Sequence, residues 1–480
     1  MHKGRKNKPA TRRDILKSGF AIAAGATVMP LAPGSALAQG DADLAQVQKQ
    51  RRILLKGGIV LSGDAKVGDF APGDILIEDG IIREVSPNIN SPDAAVIDAA
   101  NRILVPGFVD THSHSYQGLL RSSLPNGLVD PDYNRDVQSK LTPAYSPEDV
   151  YAGVLIAALG FIEMGTTTIV DLSQISHTPE HSDACIRALQ EAGIRAVYGY
   201  SRGAGSKAQY PQDIARLQKT YFSSKDQLLT LALGSSLAPK VVSAARAAGV
   251  PAVMHYRVNP APGVALAKAG LLREGDLFIH CTHLNDDAWK VIKDIGGRIS
   301  MSPPLEMAMA HGMPAIQDAL DRGVRPSLSS DHGTTVAQDA FSLMRTTFNL
   351  QRLRVLQRRR NKEQNVPPLV TCRDALEFAT LQGARCANMD GKIGTLVPGK
   401  EADILMLRAD RLDVWPLNNA ASAVANFMNP SHVDTVFIAG RVKKWRGAMV
   451  GVDTARVMRL AQEARDALMR RTDHKIALLG

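Results

Sequence analysis

Cysteine is scarce, with four residues in 480: Cys185, Cys281, Cys372 and Cys386. They are scattered, without the close pairs of a structural zinc site or a dithiol redox motif, so both classes drop out. A chain of this length buries a large core without disulfide staples, so these thiols are expected to be free and mostly buried. Long apolar runs are missing as well. The stretch from Gly19 to Leu31 is too short and too rich in Gly, Ala and Pro to cross a bilayer, and no later segment does better. No stable membrane insertion is expected. No Gly-rich phosphate loop follows any apolar run, which argues against an open dinucleotide-binding sheet. Acidic residues are nearly absent from one region only. Residues 1–38 hold Lys3, Arg5, Lys6, Lys8, Arg12, Arg13 and Lys17 against Asp14 alone, which accounts for most of the formal net charge of +10. The largest basic run after that, Arg358-Arg359-Arg360, reads as a solvated loop. Little positive charge is left for a nucleic-acid partner, and none is expected.

That basic start has an order of its own. Thr11-Arg12-Arg13-Asp14-Ile15-Leu16-Lys17 precedes the short apolar stretch, and Ala36-Leu37-Ala38 forms a small-x-small cleavage site. The arrangement resembles a twin-arginine export signal. It implies a signal peptide over residues 1–38, the twin-arginine export machinery as a partner, and a periplasmic or secreted product. That route carries folded proteins.

From Arg52 to Val105 the segments are short and strand-like, with turn signals such as Asp79-Gly80 between them. The same grammar returns in "ADILMLRA" and "VDTVFIAGRVKKW". Residues 52–106 and 395–450 are therefore expected to pair into one small β-sandwich built from both chain ends. Residues 451–480 read as a C-terminal amphipathic helix with Val457, Leu460, Ala464 and Leu468 at helical spacing. Between them, residues 107–394 alternate apolar runs with helix-like segments such as "PEDVYAGVLIAALGFIEMG" and "HSDACIRALQEAG". Eight strands are expected, at Phe108–His112, Thr167–Leu172, Ala196–Tyr200, Leu228–Leu233, Ala252–Tyr256, Leu277–His280, Arg298–Ser302 and Pro326–Ser330. The fold class is α/β, a closed (β/α)8 TIM-like barrel whose site lies at the C-terminal strand ends.

Those strand ends carry the chemistry. In "GFVDTHSH", His112 and His114 stand one residue apart, which places them on one face of an extended segment. Strand 5 ends in "VMHY" with His255. Strand 6 ends in "FIHCTH" with His280 and His283, and strand 8 runs into "LSSDHG" with Asp331 and His332. A lone histidine at a strand end is more often a hydrogen-bonded rim residue. Several on one face of one barrel make an N/O donor set that suits Zn2+, with Fe2+ as second choice.

Together "VPGFVDTHSH", "FIHCTHLNDDAW", "SSDHG" and "GTLVPGKEADILML" resemble the amidohydrolase superfamily, within its cytosine deaminase and chlorohydrolase-like branch. The resemblance covers everything after the leader. It implies His112, His114, His255 and Asp331 as metal ligands, and His280 as the residue beside the reacting water and substrate, with His283 of second rank. Two departures matter. Binuclear members carry a carboxylated lysine at the end of strand 4, and "LALGSS" has none, so one divalent ion per chain is expected. Deaminases of the branch carry a Glu three residues after the strand-5 histidine. Here Val258 stands at that place. After strand 7 the family shows Pro-x-Ser-Asn, whereas this chain reads "SPPLEMAMAHG" and brings Glu306 and His311.

The resulting expectation is a hydrolase of a non-peptide C–N bond in a small molecule, amide-, urea- or carbamate-like or a cyclic version. Asp331 and His280 would be catalytic, with Gln117 and Glu306 against the substrate, Glu306 as either a substitute acid or a rim residue, and Arg121 in the pocket or capping a helix. An aminohydrolase of a nucleobase-like or triazine-like ring and a hydrolytic dehalogenase are the competing enzymatic readings. A metal- or solute-binding protein is the reading from another class, and a homo-oligomer stays open.

Overall fold

The computed structural model describes residues 44–224 and 226–479. The leader read in residues 1–38 lies outside them. Arg52–Val60 pairs antiparallel with Phe70–Glu78 and parallel with Ala95–Asp98 and Arg102–Pro106. Phe70–Glu78 turns into Ile81–Ser86 through Asp79 and Gly80, whose φ values are 50° and 83°. Two positive φ angles in a two-residue turn suit the twist of a hairpin, and Gly80 takes one without a Cβ penalty. Arg102–Pro106 pairs antiparallel with Ile404–Arg408, which joins the two ends of the chain. Val433–Ile438, Arg441–Trp445 and Ala448–Met449 extend the sheet by antiparallel steps. The two strand-rich ends thus form one continuous mixed sheet of nine strands.

The middle of the chain gives eight parallel strands: β1 Phe108–Ser113, β2 Thr166–Leu172, β3 Arg195–Tyr200, β4 Leu229–Ser235, β5 Ala252–Tyr256, β6 Leu277–His280, β7 Arg298–Met301 and β8 Ser327–Leu328. Each pairs with the next in chain order. Helices supply the crossovers. Pro147–Glu163 starts at a capping box in which Ser146 and Asp149 satisfy each other's backbone N–H groups, and Pro179–Ala192 stops at Gly193 with φ 65°. The strands read as continuous apolar runs because both faces are covered, and every residue of β2 and β3 is buried. One end of the interior is filled by Val109, Val170, Val197, Ala232 and Val253, packed with Ala384, Cys386 and Ile393 from the segment around helix Leu381–Cys386. The last and first strands meet beyond their ordered ladder. His114 N–H donates to the Asp331 carbonyl and Asp331 N–H to the His112 carbonyl, both at 2.9 Å.

Two local readings change. Arg358-Arg359-Arg360 is the last turn of helix Ala340–Arg360 rather than a loop, and cations are favoured at that end of the helix dipole. The C-terminal helix runs over Thr454–Thr472 and buries Val457, Ala461, Leu468 and Met469, while Leu460 and Ala464 are half-buried at its margin. The four cysteines are free, and all but Cys372 are buried.

Candidate metal centre

Extended backbone at the end of β1 puts His112 and His114 on one side. Asp110 braces the turn: its Oδ1 accepts from His112 N–H at 3.1 Å and its Oδ2 from Ser330 N–H at 3.0 Å. Burial pushes the Asp110 carboxyl up to about 6. Asp171, at the end of β2, accepts Ser115 N–H at 2.8 Å. β6 ends and β8 continues into residues with left-handed backbone, His280 at φ 70° and Asp331 at φ 60°. Such conformations cost a non-glycine residue roughly 1–3 kcal/mol and persist where the surroundings impose them, often at functional sites.

The donor atoms converge. Asp331 Oδ1 lies 3.2 Å from His112 Nε2 and 3.3 Å from His114 Nε2, while its Oδ2 lies 3.6 Å from His280 Nε2. The His112 ring is 4.9 Å from that of His255 and 5.5 Å from that of His280. Two overlapping triads, His112–His255–His280 and His112–His114–Asp331, each bring three ligand atoms within 4.8 Å of one another. Burial, reinforced by neighbouring imidazoles, holds His114 down at about 3 and His255 well below the ordinary histidine range. These rings are therefore neutral, with free lone pairs. Burial alone would push Asp331 up, but its contacts with His332 and His112 hold it well below the usual carboxylate range.

A divalent cation fits this set. Both ring nitrogens of His112 are buried and have no hydrogen-bond partner among the described residues, a costly state unless a ligand takes a lone pair. His114 Nδ1 sits 2.8 Å from the Leu172 carbonyl oxygen, which accepts its proton and leaves Nε2 bare toward the cluster.

The other residues singled out from the sequence fall into place around it. Glu306 is fully buried, and its Oε1 lies 3.0 Å from His280 Nδ1 and 2.9 Å from Ser302 N. Its side chain lies beside the cluster, in contact with His280 and Ser302. Burial pushes its carboxyl up to about 8. His311 stacks edge-on to His280 at 4.2 Å. Gln117 is buried, donating from Nε2 to the hydroxyls of Tyr116 at 3.0 Å and Tyr133 at 2.8 Å. Arg121 donates to the Ile156 carbonyl at 3.3 Å and so ties down helix Pro147–Glu163. His283 is exposed on the turn after β6 and stays out of the cluster. Val258 is 63% exposed. Asp110, Asp171, the Tyr133–His332 stack at 4.4 Å and the Leu172 carbonyl were not read from the sequence. Asp110 and Asp171 carried a signal, since a carboxylate inside an apolar strand must find donors.

The comparisons with known proteins agree with this architecture. The model of the amidohydrolase family matches residues 103–443. The 5'-deoxyadenosine deaminase of Methanothermobacter thermautotrophicus is 28% identical over 420 residues, covering 81% of this chain and 93% of that protein. The 5-methylthioadenosine/S-adenosylhomocysteine deaminase of Acetivibrio thermocellus is 26% identical over 391 residues, covering 75% and 86%. Among solved structures, a zinc-bound adenosine deaminase from Xanthomonas campestris superposes with a TM-score of 0.76 at 20% identity, covering 87% of this chain and 98% of that one. The zinc complex of atrazine chlorohydrolase from Arthrobacter aurescens TC1 gives 0.75 at 19% identity, covering 86% and 100%. At such identities the superpositions speak for the fold alone. The family match spans well over half of the sequence and includes every residue of the cluster, so the chain belongs to the amidohydrolase family and is a hydrolase acting on carbon–nitrogen bonds.

Proposed function

We propose that the protein hydrolyses a non-peptide C–N bond of the amide, urea or carbamate type, open or cyclic, in a small molecule. His112, His114, His255 and Asp331 would hold one divalent ion, Zn2+ first and Fe2+ second. Bound there, such an ion supplies Lewis acidity and lets water act as a nucleophile at neutral pH. β4 ends in Gly234 and Ser235 and brings no lysine for a second ion. The Oδ1 of Asp331 turns toward His112 and His114, and its Oδ2 toward His280. That division lets Oδ2 take a proton from the attacking water and hand it to the departing nitrogen. His280 orients the nucleophile.

One observation carries the choice of substrate class. The position that supplies the ring-protonating acid in deaminases of this branch holds Val258, which is exposed, and the buried Glu306 is engaged with His280 and Ser302. Ring deamination therefore lacks its usual donor, whereas an amide-like leaving nitrogen needs only the proton that Asp331 carries. A second reading, an aminohydrolase of a purine-like ring, is favoured by the names of the deaminase relatives. A panel of amides, ureas, carbamates, aminopurines and halogenated triazines, scored for ammonia, larger amines and halide with metal-loaded and metal-stripped protein, tests both. Faster release from the amide and urea group is expected. Rapid ammonia release from an aminopurine with inert amides overturns the ranking. Export through the twin-arginine route completes the proposal, and it rests on the sequence of residues 11–38.

A further inference from the structure

We infer that Glu306 is a positioning residue that fixes His280 as the Nδ1–H tautomer, so that His280 meets the reaction as an acceptor through Nε2. The two atoms that decide this are the oxygens of one carboxyl group. Glu306 Oε1 receives the Ser302 N–H at 2.9 Å, and the same oxygen lies 3.0 Å from His280 Nδ1. Ser302 N can only donate, so Oε1 is an acceptor. A proton on Glu306 belongs on Oε2, because a hydroxyl oxygen of a carboxylic acid accepts poorly. Oε2 is buried and has no partner among the described residues. Whether or not the carboxyl is ionised, Oε1 therefore accepts from His280, and the ring proton sits on Nδ1.

The opposite nitrogen then carries a lone pair. His280 Nε2 lies 3.6 Å from Asp331 Oδ2, close enough for one water beside the pair to hydrogen-bond to both. A bare Nε2 accepts a hydrogen bond from the attacking water and so turns a lone pair of that water's oxygen toward the electrophile. It does not donate to a substrate carbonyl. Glu306 comes from helix Pro303–Ala308, which follows β7, and His311 N–H donates to the Glu306 carbonyl at 2.9 Å. The loop that packs the His311 ring against His280 is thus pinned by the same residue. Glu306 takes no part in proton transfer to substrate.

The claim rests on side-chain geometry. It touches the proposed function only in its kinetic readout, so the test has two arms. Zinc-loaded protein labelled with 15N-histidine is examined by long-range 1H–15N correlation, with His280 assigned by its loss in His280→Gln. The Nδ1–H tautomer is expected in the unmodified protein. Glu306→Gln should keep it, because an amide oxygen accepts the same two hydrogen bonds, and Glu306→Ala should lose it. An Nε2–H tautomer in the unmodified protein overturns the inference without any variant. Persistence of Nδ1–H in Glu306→Ala, with zinc still bound, also overturns it. In the kinetic arm, Glu306→Ala should lower kcat about 100-fold with little change in KM, as misorientation of a reacting group does, and Glu306→Gln should recover much of the loss. If no compound of the panel is turned over while the tautomer result holds, the substrate class is wrong and the positioning role stands.

Discussion

His112 illustrates what a single residue is asked to do at this site. Its ring is fully buried, edge-on to His114 and His255, and neither nitrogen makes a hydrogen bond among the described residues. An unpaired buried polar group costs roughly 1–3 kcal/mol, so the arrangement is stable chiefly with a cation in place. Purified protein should hold about one divalent ion per chain, and His112→Ala or His255→Ala should lose most of it by metal analysis. Two ions per chain would contradict the argument from the end of β4. Asp331→Asn keeps the shape of the side chain but removes the proton acceptor. It should reduce turnover by at least ~10²-fold against any compound of the panel. Retained turnover in that variant would remove Asp331 from the reaction.

Elements hold these residues by a few buried ties. Arg195, at the start of β3, is 2% exposed and donates to Asp403 at 3.0 and 2.9 Å and to Glu401 at 2.6 Å. Those carboxylates immediately precede strand Ile404–Arg408, so this cluster clamps the barrel to the mixed sheet. Removing the guanidinium leaves the buried Asp403 with only the Ala439 N–H, at 2.7 Å, to offset its charge. Arg195→Met should cost about 3–5 kcal/mol in denaturant unfolding. A loss under 1 kcal/mol would show the clamp to be dispensable. The loop after β7 closes through Gly312, at φ 125°, where a Cβ would meet His283 Nε2 at 2.5 Å and the Thr282 side chain at 3.0 Å. Gly312→Ala should disturb the His280 side of the site. Turnover is expected to fall while the ion content stays the same, and unchanged kinetics would mean that the loop is tolerant there.

At the scale of the whole molecule, the residues expected to bind the ion also close the barrel. β8 has only two residues in its ladder, and the backbone pair of His112 and His114 with Asp331 joins it to β1. Occupying the centre therefore stabilises a long-range closure between residues more than 200 apart in sequence. An ion at 1,000 times its dissociation constant adds about 4 kcal/mol. Chelator-stripped protein should melt at a clearly lower temperature and regain stability with added Zn2+. Equal melting with and without metal would separate binding from closure. The same coupling would suit the proposed export of an already folded protein. Replacing Arg12 and Arg13 together with Lys should leave the precursor inside the cell, and normal export and cleavage of that variant would refute the twin-arginine reading.

What the amino-acid order determined by itself was the local grammar. Buried parallel strands need apolar runs on both faces, so β1 to β7 were legible to within two residues, and β8 was read longer than it is. A His or Asp at the end of such a run has to lie at the rim, which made His112, His114, His255, His280 and Asp331 visible as a set. Tertiary structure decided which polar neighbours join them. His283 is three residues from His280 and lies outside, because the chain turns through positive φ at His280 and Cys281 and carries His283 to the surface. Glu306 is 26 residues from His280 and reaches it. A strand fixes the direction of its own side chains by its pleat. The short helix after β7 is aimed by the elements it packs on, and no local pattern in "SPPLEMAMAHG" states that direction.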